Sequence, residues 1–157
     1  MKNETRIHFR GYVNDDEATA AVMRDGWFHT GDLGYFDDDG YFFFVDRLKD
    51  IVRRGGENVS GMEVESVLLQ HPGVAEVAVL GRPDPILGER IVAFVVPAMG
   101  ATAPSLEDLR KFGETSLATF KLPEEVHTSE GLPRTATGKV QKFALRKLLP
   151  DASQPKV

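Results

Sequence analysis

Two apolar runs, Val74-Ala75-Glu76-Val77-Ala78-Val79-Leu80 and Ile91-Val92-Ala93-Phe94-Val95-Val96, constrain the fold of this chain more than any other feature. Both are short and rich in β-branched residues, which makes them strands rather than buried helices. A turn-rich connection, Gly81-Arg82-Pro83-Asp84-Pro85, runs between them. Helical signals stand on either side. Ser60 with Glu63 three positions on has the spacing of a capping box, in which side chains satisfy the orphan N–H groups of a first turn. Val64, Val67, Leu68 and His71 give that helix one apolar face, and Pro72-Gly73 ends it. Ser105 opens a second helix with Leu106, Leu109, Phe112, Leu117 and Phe120 along one side. Val126-His127-Thr128 is a short extended piece, and a basic helix is expected over 141–149. Residues 47–149 therefore read as an α+β unit, a small and mostly antiparallel sheet packed by helices.

Residues 1–46 do not belong to that unit by pattern. A short acid-started helix is expected near Asp15-Asp16-Glu17. Aromatic-rich runs on either side of Asp37-Asp38-Asp39-Gly40 predict a hairpin over residues 27–45. The three aspartates lack the alternate spacing and closing Glu of an EF-hand loop, so they read as a solvated turn. The tail, 150–157, is expected to be disordered. Among 157 residues, 24 are acidic and 19 basic, a net charge of −5 that argues against a nucleic-acid partner. With no cysteine, disulfides, thiolate zinc sites and a cysteine nucleophile are excluded. No apolar run approaches the ~20 residues that span a bilayer, and a cytoplasmic protein is expected.

Three places could carry chemistry. In Thr30-Gly31-Asp32 the carboxylate could accept hydrogen bonds from vicinal hydroxyls, or bond its own backbone at a hairpin end. Arg53-Arg54-Gly55-Gly56 and Thr135-Ala136-Thr137-Gly138-Lys139 are glycine-containing loops bearing cations, which suit a phosphate. The second is not a Walker A loop, because Pro133 stands where that motif needs its first glycine. From the residues alone, Lys139 is either part of an anion site or a solvated loop lysine.

An ordered series of motifs adds to this reading. Trp27-Phe28-His29-Thr30-Gly31-Asp32-Leu33-Gly34, Asp39-Gly40-Tyr41, Asp46-Arg47-Leu48-Lys49-Asp50 and Gly55-Gly56-Glu57-Asn58-Val59 are followed by Glu63-Val64-Glu65, His71-Pro72-Gly73-Val74 and Gly88-Glu89. Phe120-Lys121-Leu122-Pro123, Leu132-Pro133-Arg134-Thr135 and Thr137-Gly138-Lys139 complete it. The series resembles the C-terminal motifs of the adenylate-forming (ANL) superfamily over residues 11–149, and its wording is similar to crotonobetaine/carnitine-CoA ligases. Gly61, where relatives usually have Pro, and Ala136-Thr137, where Ser is common, depart from the pattern.

The resemblance implies a C-terminal fragment of an AMP-forming acyl-CoA synthetase. Such an enzyme joins a carboxylic acid to ATP as acyl-AMP, then makes a thioester with CoA. It implies that residues 1–46 end a large ATP-binding domain, with a β-hairpin as its remnant, and that 47–149 are a small mobile domain. Asp32 and Arg47 would hold the ribose, Lys49 would be the hinge, and Lys139 would bridge carboxylate and phosphate as the catalytic lysine. Gly55, Gly56, Glu57 and Asn58 would line the CoA channel. ATP/AMP, CoA and Mg2+ are the implied cofactors, the metal held mainly by the absent N-terminal domain, which would be the chain's own partner. Alone, the chain is expected to be inactive, and Trp27, Phe28, Phe42 and Phe44 to leave an apolar patch that invites self-association. The alternatives are an adenylation domain that loads a carrier-protein thiol, and a non-catalytic binding module of the same fold.

Overall fold

The computed structural model describes residues 9–149, so the 150–157 tail lies outside the described residues. The chain divides into two compact units, one up to Leu48 and one from Lys49 onward.

In the first unit, Asp15 caps helix α1 (Asp16–Val22) by accepting the Ala18 N–H at 2.9 Å. Strands β1 (Met23–Arg24) and β2 (Trp27–Phe28) form a two-stranded antiparallel piece across Asp25-Gly26. A second ladder pairs β3 (Asp32–Phe36) with β4 (Phe42–Arg47), so the hairpin expected over 27–45 begins only at Asp32. Trp27 and Phe28 belong to the earlier turn, because Asp-Gly favours a tight two-residue reversal there. At the turn of the second hairpin, Asp37 Oδ1 accepts the N–H groups of Asp39 and Tyr41, as a turn aspartate does. No apolar side chain of this unit is buried among the described residues. Trp27, Phe42 and Phe44 are 45%, 52% and 46% exposed, whereas Phe28 is half-buried against Phe9.

The second unit is a mixed five-stranded sheet. It contains β5 (Ile51–Arg54), β6 (Glu57–Ser60), β7 (Val74–Asp84), β8 (Gly88–Pro97) and β9 (Glu125–Thr128). Its order is β6-β5-β8-β7, and β9 adds to β8 in parallel, the one parallel pair among the described strands. Helices α2 (Gly61–Leu68), α3 (Leu106–Gly113) and α4 (Lys142–Arg146) pack on it.

Alternation along β8 sorts the core into two layers. Ile91, Ala93 and Val95 join Val64, Leu68, Leu109 and Leu122 in one layer, with α2 and α3. Val92 and Phe94 face the other way and join Ala78, Leu80, Leu132 and Leu145, the layer of α4. Burial on both faces is why 91–96 reads as an unbroken apolar run. Each fully buried Leu, Ile or Val contributes on the order of 1.5–3 kcal/mol relative to exposure.

Several boundaries differ from the sequence expectation. Gly81, Arg82 and Pro83 are strand residues that continue the β7–β8 ladder to Asp84↔Gly88, leaving a turn of only three residues. Pro83 is tolerated because β7 is an edge strand. Helix α2 ends at Leu68, and His71 lies beyond it, its Nδ1 accepting the Gly73 N–H at 3.0 Å. Ser60 caps α2 through the Glu63 N–H, but the Glu63 carboxylate is taken by Lys121 Nζ at 2.6 Å. The full capping box is at Ser105–Asp108 instead. Helix α3 stops at Gly113, so Leu117 and Phe120 reach the same core layer from the turns that follow. Helix α4 is shorter than the 141–149 expected.

Candidate functional site

Asp32 opens β3 and Arg47 closes β4, and the two occupy the same register position of the ladder. The Arg47 Nε donates to Asp32 Oδ1 at 2.7 Å. The Asp32 N–H donates to the Thr30 hydroxyl at 3.1 Å. Leu48 N–H reaches the Gly31 carbonyl at 2.8 Å and closes the ladder beyond the pair. Beside Arg47, the buried Asp46 accepts the Arg47 N–H at 2.7 Å. A carboxylate has about four acceptor positions. Asp32 thus retains acceptor capacity while Arg47 is bound.

Lys49 stands in the 3₁₀ turn Leu48–Asp50, at the first position of the second unit. Its carbonyl accepts from the Arg146 guanidinium of α4 at 3.2 Å.

Gly55 and Gly56 are the two central residues of the β5–β6 hairpin, with φ of +57° and +87°. Positive φ at both positions is the type I′ condition, which glycine meets without strain. Three contacts hold this turn. Gly55 N–H donates to the Leu87 carbonyl at 2.7 Å, and Arg53 N–H to Glu89 at 2.7 Å. Arg54 makes a two-pronged bridge to Glu124, Nε and Nη2 each at 3.0 Å. Burial pushes the Glu124 carboxyl up, but the Arg54 bridge and the Ile91 N–H outweigh it and hold the group below its usual range. Arg54 is raised in turn, first by its bond to Glu124. In the adjoining β7–β8 turn, Asp84 accepts from Arg90 and from the Ile86 and Leu87 N–H groups, which lowers its carboxyl to about 2. Glu57 and Asn58 follow the turn and are exposed.

Lys139 ends a tight loop. The isolated bridge Arg134↔Val140 closes its base, Thr135 N–H donates to the Lys139 carbonyl at 2.8 Å, and Lys139 N–H to Thr135 Oγ1 at 3.1 Å. The Lys139 side chain is exposed and its ammonium has no partner among the described residues. The Gly55-Gly56 turn and the Lys139 loop sit at opposite ends of one ladder. The first is anchored at Gly88, the start of β8. The second is anchored through Arg134 on Glu76, which pairs with Val96 near the end of β8. At ~3.3 Å per residue those anchors are roughly 25 Å apart.

Residues 63–139 match the AMP-binding enzyme C-terminal domain. The chain carries that domain of the adenylate-forming superfamily. The oxalate–CoA ligase of Arabidopsis thaliana is 47% identical over 133 residues, 85% of this chain and 26% of that protein. The crotonobetaine/carnitine–CoA ligase of Proteus mirabilis is 48% identical over 139 residues, 88% of this chain and 27% of that protein. Among solved structures, ATP-bound MatB from Rhodopseudomonas palustris aligns at 41% identity with a TM-score of 0.79, over 88% of this chain and 28% of that one. The chain thus spans about a quarter of the length of the curated relatives it matches.

Not every residue that shapes these features was legible in the sequence. Glu124, Leu87 and Arg146 act on the candidate residues through contacts distant in sequence. Glu76 had a signal, a lone carboxylate inside an apolar strand run. Among the described residues there is no group of three or more His, Asp or Glu side chains that could hold a metal ion.

Proposed function

We propose that this chain works as the C-terminal part of an AMP-forming acyl-CoA ligase. On this reading residues 1–46 complete the large nucleotide-binding domain and residues 47–149 are the mobile domain. A carboxylate attacks the α-phosphorus of ATP, pyrophosphate leaves, and acyl-AMP forms. The thiol of CoA then attacks the acyl carbon, AMP leaves, and the thiol proton passes to solvent.

The observation that carries the reading is the placement of two different loops at opposite ends of one sheet. Adenylation brings two anions together, and a fixed cation between them offsets their repulsion. Lys139, exposed and free of partners among the described residues, suits that role. One unit charge at 4 Å contributes roughly 4 kcal/mol at an effective dielectric of ~20. The thiol step needs a narrow approach for pantetheine, which side-chain-free Gly55 and Gly56 suit, with Glu57 and Asn58 beside them. Two ends some 25 Å apart cannot serve one reaction centre together, which favours a turn of the whole domain between steps about Lys49. Asp32 and Arg47 suit the ribose hydroxyls as acceptor and donor. Relatives that are CoA ligases favour free CoA over a carrier-protein thiol.

The test is ATP–pyrophosphate exchange over a panel of carboxylic acids, with this chain alone and with the protein at its full encoded length. Acid-dependent exchange by the full-length protein, absent from this chain, supports the ligase reading. Exchange by the chain alone contradicts the assignment of the ATP site, and none in either favours a binding module.

A further inference from the structure

Arg134 links the Lys139 loop to the sheet. Its Nη1 donates to the Gly138 carbonyl at 2.7 Å, and its Nη2 is paired with Glu76 Oε2. Its backbone forms the bridge with Val140 that closes the loop. One guanidinium therefore joins the peptide immediately before Lys139 to a strand of the sheet. Gly138 has φ of +83°, a left-handed turn that glycine adopts without strain, so the loop reverses tightly just before Lys139.

Glu76 is placed for this contact by the sheet. The β7–β8 register shifts between Val74 and Glu76, a local irregularity of the kind that re-aims a side chain. Past the shift, Glu76 shares a face of β7 with Ala78 and Leu80, the layer that also buries Leu132 and Leu145 on either side of the loop. Arg134 and Glu76 are both more than a third exposed. An exposed pair of this kind adds little to global stability. What it fixes is geometry, because a planar fork holding two acceptors has few orientations.

We propose that Arg134 is a positioning residue for Lys139, acting through the Gly138 carbonyl and held by Glu76. This rests on the reading of Lys139 as the adenylation lysine. Loss of the fork leaves the ammonium present but lets the loop sample geometries in which it misses the phosphate.

The test uses the full-length protein and five variants, Arg134→Gln, Arg134→Lys, Glu76→Gln, the Arg134→Gln/Glu76→Gln double and Lys139→Ala. We expect Arg134→Gln to lower kcat of ATP–pyrophosphate exchange about tenfold or more with little change in KM for ATP. Glu76→Gln should give a smaller loss of the same kind, and the double should be no worse than Arg134→Gln alone. Arg134→Lys, which keeps the charge but not the fork, should recover only part. Thioester formation from supplied acyl-adenylate should stay within about twofold, which a general structural defect would not allow. If Lys139→Ala abolishes exchange while Arg134→Gln does not lower it, the positioning role is wrong and the lysine assignment stands. If Lys139→Ala leaves exchange intact, the underlying reading fails and the positioning role with it. Equal loss in both half-reactions for Arg134→Gln also overturns the proposal.

Discussion

Asp32 and Arg47 face each other at one register position of the β3–β4 ladder, carboxylate to guanidinium, at 2.7 Å. The pair is partly exposed and contributes on the order of 0–1 kcal/mol to stability. Its value lies in presenting an acceptor and a donor side by side. Asp32→Asn in the full-length protein is expected to weaken ATP binding about tenfold or more, since a bond to a charged group is worth about 1.5–3 kcal/mol. Titration calorimetry with ATP measures this, and an unchanged affinity with an unchanged melting temperature removes Asp32 from the nucleotide site.

Glu124 holds the strand end that leads into the Gly55-Gly56 turn. It is a largely buried carboxylate with two bonds from Arg54 and one from the Ile91 N–H. Glu124→Ala leaves the Arg54 guanidinium half-enclosed without its partner, and is expected to destabilise the protein by about 1–3 kcal/mol. Urea unfolding of Glu124→Ala, Arg54→Ala and the double checks it. Strongly non-additive losses are predicted, and simple additivity contradicts a direct coupling.

Much of this was legible before any coordinates. The β7 and β8 runs, the cap at Ser60 and the glycine loop at Gly55-Gly56 follow from local chemistry, because a β-branched run, a serine hydroxyl and paired glycines each act within a few residues. The extension of β7 through Pro83 was not legible, since proline is a breaker unless the strand is known to be an edge. The box expected at Ser60 is incomplete because the Glu63 carboxylate is claimed by Lys121, 58 positions away in sequence. The same limit hid Glu124, Arg146 and the role of Glu76. Pairing at that range is decided by the fold, not by the neighbourhood.

The two glycines of the β5–β6 turn are not equivalent. A Cβ at Gly56 meets nothing within 4 Å, and one at Gly55 meets only Leu87 at 3.9 Å. Substitution is therefore penalised by backbone conformation and not by crowding. Gly56→Ala is expected to cost about 1–2 kcal/mol, whereas Gly55→Asn should cost less, because Asn-Gly also satisfies a type I′ turn. Thermal unfolding of both variants tests the order, and a reversed order contradicts the turn assignment.

Asp84 supplies a pH dependence. Its carboxyl is lowered from 3.8 to about 2 by Arg90 and two turn N–H groups. A lowered folded value means the stabilisation is complete above the unfolded value, near 4, and is lost as pH falls toward about 2. Glu124 and Asp108 are lowered too and add to the same acid limb. The unfolding midpoint is expected to be level from pH 7 to about 5 and to fall below about 4. Asp84→Asn should make that fall shallower, and an identical acid limb in the variant contradicts the assignment.

If one small domain serves two chemical steps with two different ends, Lys139→Ala in the full-length protein must separate them. Both half-reactions are measured, pyrophosphate exchange from acid and ATP, and thioester formation from supplied acyl-adenylate and CoA. Exchange should fall a hundredfold or more, on the order of 3 kcal/mol, while thioester formation stays within a few-fold. Equal loss of both half-reactions, or full exchange without the lysine, contradicts it.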